Sequence, residues 1–269
     1  MLPRMTRVEV PGHDLVGIRA ANPGRFTLSG TNSWIVGRGP AWLVDPGPAL
    51  DEHLAALWSE ITRRGGLGGI ALTHDHPDHT EAVPAMRGRY PGIPVAAARG
   101  DVDVMLGDGD TFGPLEAVAT PGHAPDHLAY ITGDAALTGD AVLGEGSVFI
   151  APAPGALAAY LDALTRLRER PLDVLCPGHG PLVLDPKAKI DQYISHRLDR
   201  ENRLIAALSS GKRSVADLLD DAWDDVPAGL RPAAAVTLAS HLDKLSDEGR
   251  LPTGVERPEL PDLRDHAGV

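Results

Sequence analysis

Apolar residues follow two different rhythms along this chain. In the first two-thirds, short apolar runs recur between Gly, Pro and Asp, as in "NSWIVG", "AWLVDPG", "GIALT", "IPVAAA", "LEAVATPG" and "HLAYITGDAALTGD". Runs bounded in this way predict β-strands. The first two pair around Gly37 to Pro40, and Gly133-Asp134 supplies a tight turn within the last. "ALDEHLAALWSEITRRGG" and "GALAAYLDALTRLRER" interrupt the pattern with helical spacing, and "PLDVLCPGHG" returns to a strand. Such interleaving predicts an α/β fold with helices covering sheets.

After about Pro186 the rhythm is helical throughout. "AKIDQYISHRLDRENRLIAALSS", "SVADLLDDAW" and "RPAAAVTLASHLDKLSDEGR" predict three helices, and "LPTGVERPEL" is a candidate β wing. Helices followed by a wing predict a small winged-helix-like unit, with an ordinary helical cap as the alternative. The expected domains are therefore 1–185 and 186–269.

Composition narrows the function. The chain has 269 residues, 43% of them hydrophobic, enough for one large domain and a small appendage. A formal net charge of -12 argues against broad binding to phosphate backbones. The sequence has no run near the roughly 20 apolar residues of a membrane span, and "MLPRMTRVEVPGHDLVGIRA" lacks a signal-like apolar core. A cytoplasmic protein is expected. The single cysteine, Cys176, forms no internal disulfide and no thiolate cage, and is expected to be a buried, inert thiol.

Any metal must then be held by nitrogen and oxygen. "GGIALTHDHPDHTEAV" contains His74, His76, Asp78 and His79 directly after an apolar run. An extended segment sends His74 and His76 to one side, and a turn at Pro77 swings Asp78 and His79 to a neighbouring point. Further ligands follow other apolar runs: His123 in "ATPGHAPDH", Asp140 in "AALTGDAV" and His179 in "VLCPGHGP". The expected set is His74, His76 and His123 for one metal, Asp78, His79 and His179 for a second, and Asp140 bridging. These donors suit two zinc ions, with iron or manganese as alternatives. Asp45 is a candidate to orient a ligand or to form a turn. His127 either approaches substrate or bonds a loop carbonyl, and Asp75 is expected to be solvated.

In this order, and with these Gly and Pro neighbours, the residues resemble the metallo-β-lactamase superfamily over roughly residues 20 to 185. The resemblance implies an αββα sandwich with a binuclear site between its sheet edges. "GTNSWIVG", "GDAVLGEGS" and "PGHGPLVLDPKAKIDQYISHRLDRENRLI" are similar to the β-lactamase-like protein 2 branch, which includes an animal mitochondrial endoribonuclease and many bacterial hydrolases. In that branch a winged-helix-like domain follows the hydrolase domain. Asn32, Tyr193 and His196 also match it. The implied chemistry is hydrolysis by a metal-bridging hydroxide that Asp78 and Asp140 position, the leaving group taking a proton from water, Asp78 or His127. Single-stranded RNA is the implied substrate. Hydrolysis of a small ester, lactone or thioester is the alternative, in which the tail shapes the pocket or a homodimer contact; β-lactamase activity is expected to be weak or absent. A DNA-binding regulator with a metal sensor is the least favoured option, because residues 233–248 set Lys244 among Asp243, Asp247 and Glu248.

Overall fold

Alternate side chains of a pleated strand point to opposite faces, and here both faces are buried. The computed structural model describes residues 6–148, 150 and 152–260. In chain order it builds β1 (Thr6–Glu9), β2 (Leu15–Arg19), β3 (Asn32–Val36), β4 (Ala41–Val44), α1 (Asp51–Arg63), β5 (Leu67–Ala71), α2 (Pro77–Thr80), α3 (Val83–Arg89), β6 (Val95–Ala97) and β7 (Val104–Met105). Then follow β8 (Thr111–Phe112), β9 (Leu115–Ala119), β10 (Leu128–Thr132), β11 (Ala135–Gly139), α4 (Ala156–Arg168), β12 (Val174–Pro177), α5 (Pro186–Ser209), α6 (Val215–Ala222) and α7 (Arg231–Asp247). One sheet has the order β1-β2-β3-β4-β5-β6-β7, the other β12-β11-β10-β9-β8.

The period of two sorts each strand between two cores. Trp34, Val36, Leu128, Tyr130, Leu137 and Cys176 meet between the sheets. Ile35 and Leu43 turn outward to Leu54, Leu57 and Ile61 of α1, while Ile131 and Leu175 turn outward to Tyr160 and Leu164 of α4. The layers are thus helix, sheet, sheet, helix, the expected αββα sandwich. Strands β1, β2, β7 and β8 and helix α3 were not legible from the apolar runs. Gly17 and Arg19 interrupt β2, and β7 and β8 span two residues each.

Helix α5 belongs to two cores at once. Its first half places Ile190 and Tyr193 against α4 and the second sheet. Its second half places Leu204, Ala207 and Leu208 against Leu218 of α6 and Leu238 and Leu242 of α7. A division at 185/186 falls at the cap of this helix, where the Asp185 side chain accepts from the Ala188 N–H at 3.0 Å. The expected β wing is corrected: residues 251–260 contain no strand. Arg213 accepts a single backbone bond from Glu256 N–H at 2.9 Å, leaving no ladder to define one. No helix among the described residues is long and apolar enough to cross a membrane.

Leu238 is fully buried in the tail core. Leu238→Ala is expected to cost about 2–5 kcal/mol, read from urea unfolding followed by the assigned fluorine NMR signal of fluorotryptophan-labelled Trp223 and by circular dichroism. Because α5 spans both cores, the two signals should move together; a transition confined to Trp223 would show that the tail unfolds independently.

Candidate metal centre

The site lies where strands end. Strand β4 runs parallel to β5, and β11 runs parallel to β12; β9 shares the direction of β11 because both are antiparallel to β10. Asp45 follows β4, His74 and His76 follow β5, His123 follows β9, Asp140 follows β11 and His179 follows β12. Carboxyl ends of parallel strands are where backbone direction changes and loops converge, so side chains from distant sequence can meet there. The sheets are stitched together at this edge. Asn32 N–H donates to Gly178 O at 2.7 Å, Leu128 N–H to Thr73 O at 2.8 Å, and Trp34 Nε1–H to Pro177 O at 3.0 Å.

The seven expected ligands converge in the expected groups. His74, His76 and His123 form one cluster, and Asp78, His79 and His179 another, with the donor atoms in each lying within 4.8 Å of one another. Asp140 stands between them: Oδ2 is 3.6 Å from His123 Nε2 and 3.4 Å from His179 Nε2, while Oδ1 is 3.6 Å from His79 Nε2. Ring nitrogens face each other across 3.1 Å for His76 and His123 and 3.3 Å for His79 and His179. Two nitrogens each about 2.0–2.1 Å from a tetrahedral zinc lie about 3.3 Å apart, so both pairs have the spacing of ligands to a common ion.

The surrounding hydrogen bonds fix which nitrogen is offered. Thr73 Oγ1 donates its only proton to Asp45 Oδ2 at 2.7 Å, so it accepts from His74 Nδ1–H at 2.9 Å. His74 Nε2 therefore carries a lone pair, and it is buried without a hydrogen-bond partner. Asp140 Oδ1 is buried in the same condition. An apolar packing role gives no reason to strand these atoms, whereas a cation satisfies both. Asp45 also accepts from His79 Nδ1–H at 2.8 Å and from Thr73 N–H at 2.8 Å, so of the two roles considered for it the hydrogen bonds favour orienting His79. Its φ of 51° is an unusual conformation for a residue other than glycine. Thr31 Oγ1 donates to Asp78 Oδ2 at 3.2 Å. Thr31 and Thr73 escaped the sequence reading because a threonine at a strand end is ordinary; only pairing with the carboxylates distinguishes them.

Electrostatics divides the cluster. Burial lowers His74 well below its usual range and takes His76 to about 4, with His123 and His79 nearby adding to the fall at His76. Burial alone would lower His79 and His179 too, but the carboxylates outweigh it: Asp78, Asp140 and Asp45 lift His79 to about 9, and Asp140 and Asp78 lift His179 to about 10. Burial would raise Asp78, yet His79 and His179 hold it at about 2. Without metal, two imidazolium protons thus supply the positive charge that the carboxylates require.

His127 needs a correction. It is 1% exposed, its Nδ1 bonds Thr120 Oγ1 at 2.7 Å, and its Nε2 accepts from Asp140 N–H at 3.0 Å. With both nitrogens engaged and burial lowering it to about 3, it has no proton to give a leaving group. It instead fixes the backbone of Asp140. Asn32 donates to Pro177 O and Gly180 O at 3.0 and 2.9 Å, bracketing His179, and Tyr193 Oη accepts from Leu143 N–H at 3.1 Å. Cys176 is buried between the sheets, its thiol raised by burial, while Asp75 is exposed as expected.

Three outcomes test this geometry. A Cβ at Gly178 would stand 2.6 Å from Asp140 Oδ1 and 2.8 Å from His79 Cε1, so Gly178→Ala should strip metal from a folded chain, as measured by elemental analysis. Asp45→Ala should lower metal affinity or turnover about 10–100-fold, measured by competition with a chelating dye. Zinc added to metal-free protein at pH 7 should release protons into weak buffer, because His79 and His179 are raised above the ordinary 6.5. By the same sign, their contribution to metal-free stability is complete below about 6.5 and is lost as pH rises through about 9 to 10. Zinc uptake without proton release would contradict the assignment.

Comparison with known proteins agrees with the fold. Residues 101–179 match the family model described as metallo-beta-lactamase superfamily, and residues 214–252 match the beta-lactamase associated winged helix domain. The lactamase-like protein adaB of Aspergillus niger is 30% identical over 275 residues, with 93% of this chain and 86% of that protein covered. A beta-lactamase-like protein 2 homolog of Caenorhabditis elegans is 31% identical, covering 85% and 82% respectively. An atrochrysone carboxyl ACP thioesterase of Aspergillus chevalieri is 32% identical, covering 80% and 72%. A beta-lactamase domain protein from Burkholderia ambifaria shares the fold with a TM-score of 0.75 at 19% identity, covering 93% of this chain and 91% of that one. Identity at this level over most of both sequences, with the winged-helix match in the tail, places the chain in a family: it belongs to the metallo-beta-lactamase superfamily of hydrolases, alongside beta-lactamase-like protein 2 homologues.

Proposed function

We propose that the protein hydrolyses a small carboxyl ester or thioester, using two zinc ions held by His74, His76 and His123 and by Asp78, His79 and His179, with Asp140 shared. The observation that carries this choice over RNA is the charge state of the tail. From Pro186 onward the chain has 12 Lys plus Arg against 15 Asp plus Glu. Most of its described cations are also paired with carboxylates. Arg200 pairs with Asp225 at 2.7 Å, Lys212 with Asp221 at 2.5 Å, Arg231 with Asp220 at 2.5 Å and Lys244 with Glu201 at 2.9 Å. Arg203 and Arg257 pair with Asp224 and Asp243. A strand-guiding surface needs unneutralised cations to displace counterions from phosphates, and the described tail offers few. A relative named as an acyl carrier protein thioesterase supports the same choice.

When bound, such ions supply an acidified water and polarise the scissile carbonyl. The protein's own carboxylates hold the ions and orient the attacking water: Asp78 and Asp140 both stay ionised near neutral pH, and the buried Asp140 Oδ1 is committed to a cation. His127 N–H is unavailable to a leaving group, as its bonds show. Zinc is proposed over iron because the donors are mostly imidazole, although a protein 28% identical to this chain over 62% of its length was solved in a di-iron-bound form.

Single-stranded RNA remains the second reading because of the likeness to the beta-lactamase-like protein 2 homologues. A parallel assay of zinc-loaded protein decides between them. An N-acetylcysteamine thioester should turn over, and His123→Ala should abolish that turnover. A single-stranded RNA should be cleaved slowly or not at all. Efficient RNA cleavage that falls steeply with salt, beside an inert thioester, would overturn the proposal.

A further inference from the structure

Between Asp140 and α4 the chain crosses residues 141–155, a segment that begins in the metal centre and leaves it along the rim. Its first part is tied to the site itself: Gly144 N–H donates to His179 O at 2.9 Å, and a Cβ at Gly144 would meet Pro181 O at 2.2 Å. Glu145, Gly146 and Ser147 are then exposed. Three helices hold the segment at successive points. From α4, Tyr160 Oη–H donates to Ala141 O at 2.7 Å. From α5, Tyr193 Oη accepts from Leu143 N–H at 3.1 Å, and Arg197, one helical turn further on, donates to Val148 O and to Ser147 Oγ, the latter at 3.2 Å. From α7, Ser240 Oγ–H donates to Ile150 O at 2.7 Å, and Asp247 accepts from Gly155 N–H at 3.0 Å.

Arg197 is the informative member of this series. It is 2% exposed, and no carboxylate among the described residues lies within ion-pairing distance of it. Its guanidinium lies 6.0 Å from the Tyr160 ring centroid, and its Nε has no partner. A buried charge without a counter-charge is costly. Helix packing alone is served as well by Leu or Met, at no such cost. What the guanidinium obtains is two acceptors on residues 147 and 148, a few residues past Asp140. From α7, Ser240 Oγ bonds Val236 O of its own helix at 3.2 Å and reaches Ile150 O at the shorter 2.7 Å.

We propose that Arg197, assisted by Ser240, is a positioning residue: together they pin Ser147, Val148 and Ile150 to the C-terminal helices and thereby hold both Asp140 and the exposed rim at 145–147 in place for catalysis. The tail domain then acts on the centre through this strap, without touching substrate. The proposal goes beyond the choice of substrate and needs only that the His and Asp cluster is the reacting centre.

Arg197→Met keeps most of the buried stem and removes the donors. The zinc-loaded variant is expected to retain wild-type metal content and to exchange amide hydrogens faster at residues 141–150. With the N-acetylcysteamine thioester, kcat should fall at least about 10-fold, the scale on which misplaced positioning groups act, with KM changing less. Arg197→Lys, which can still donate to Val148 O, should recover most of kcat. If Arg197→Met does not fold, Ser240→Ala carries the test, with faster exchange centred on residue 150 and a smaller fall in kcat. The exchange readout needs no substrate, so an inert thioester would refute the ester reading while leaving this test intact. Wild-type exchange at 141–150 in a folded Arg197→Met or Ser240→Ala protein would overturn the proposal, as would a loss of kcat that only tracks the folded fraction.

Discussion

Five imidazoles and two carboxylates crowd one edge of this sandwich, and the rest of the structure is arranged to make that crowding tolerable. Desolvated charge is stable only where opposite charge or hydrogen bonds replace water. Asp140 and Asp78 meet this condition by facing His79 and His179, and Asp45 meets it by accepting from His79, Thr73 N–H and Thr73 Oγ1. The same contacts orient the rings. A buried carboxylate one layer behind the ligands therefore acts on charge, tautomer and geometry together.

The outer layers transmit rigidity to this edge. Tyr130 Oη–H donates to Leu72 O at 2.7 Å, locking the second sheet to the strand that leads into His74. His127 holds the Asp140 backbone from one side, while α4, α5 and α7 hold the segment that follows it from the other. Helix α5 is central to this arrangement, since it packs on the sandwich with one half and organises the tail core with the other. A helix committed to both cores makes the tail part of the hydrolase framework.

Much of this was legible in the sequence because ligands sit at strand ends, where an apolar run stops and a polar residue must find a partner. The runs before His74, Asp140 and His179 are of this kind, and the clustering of His74, His76, Asp78 and His79 in six residues fixed the two-point geometry. What could not be read was contact between distant strands. Thr31 and Thr73 look unremarkable until Asp78 and Asp45 are brought to them, and His127 resembled a spare acid until its two nitrogens were found engaged. Arg197 was hidden for the same reason: in a helix pattern it reads as a solvated charge, and only the fold buries it against Val148. The wing formed no strand because "LPTGVERPEL" has strand-compatible spacing but, among the described residues, no second strand to pair with.

The central claim is that this edge is one binuclear centre with Asp140 common to both halves. Metal content by plasma emission, measured on protein purified without chelators and again on Asp140→Asn, tests it most directly. The account predicts close to two ions per chain in the native protein and a marked loss in the variant, because each half gives up its shared ligand. Native protein that turns over substrate at full rate with no bound metal would contradict it.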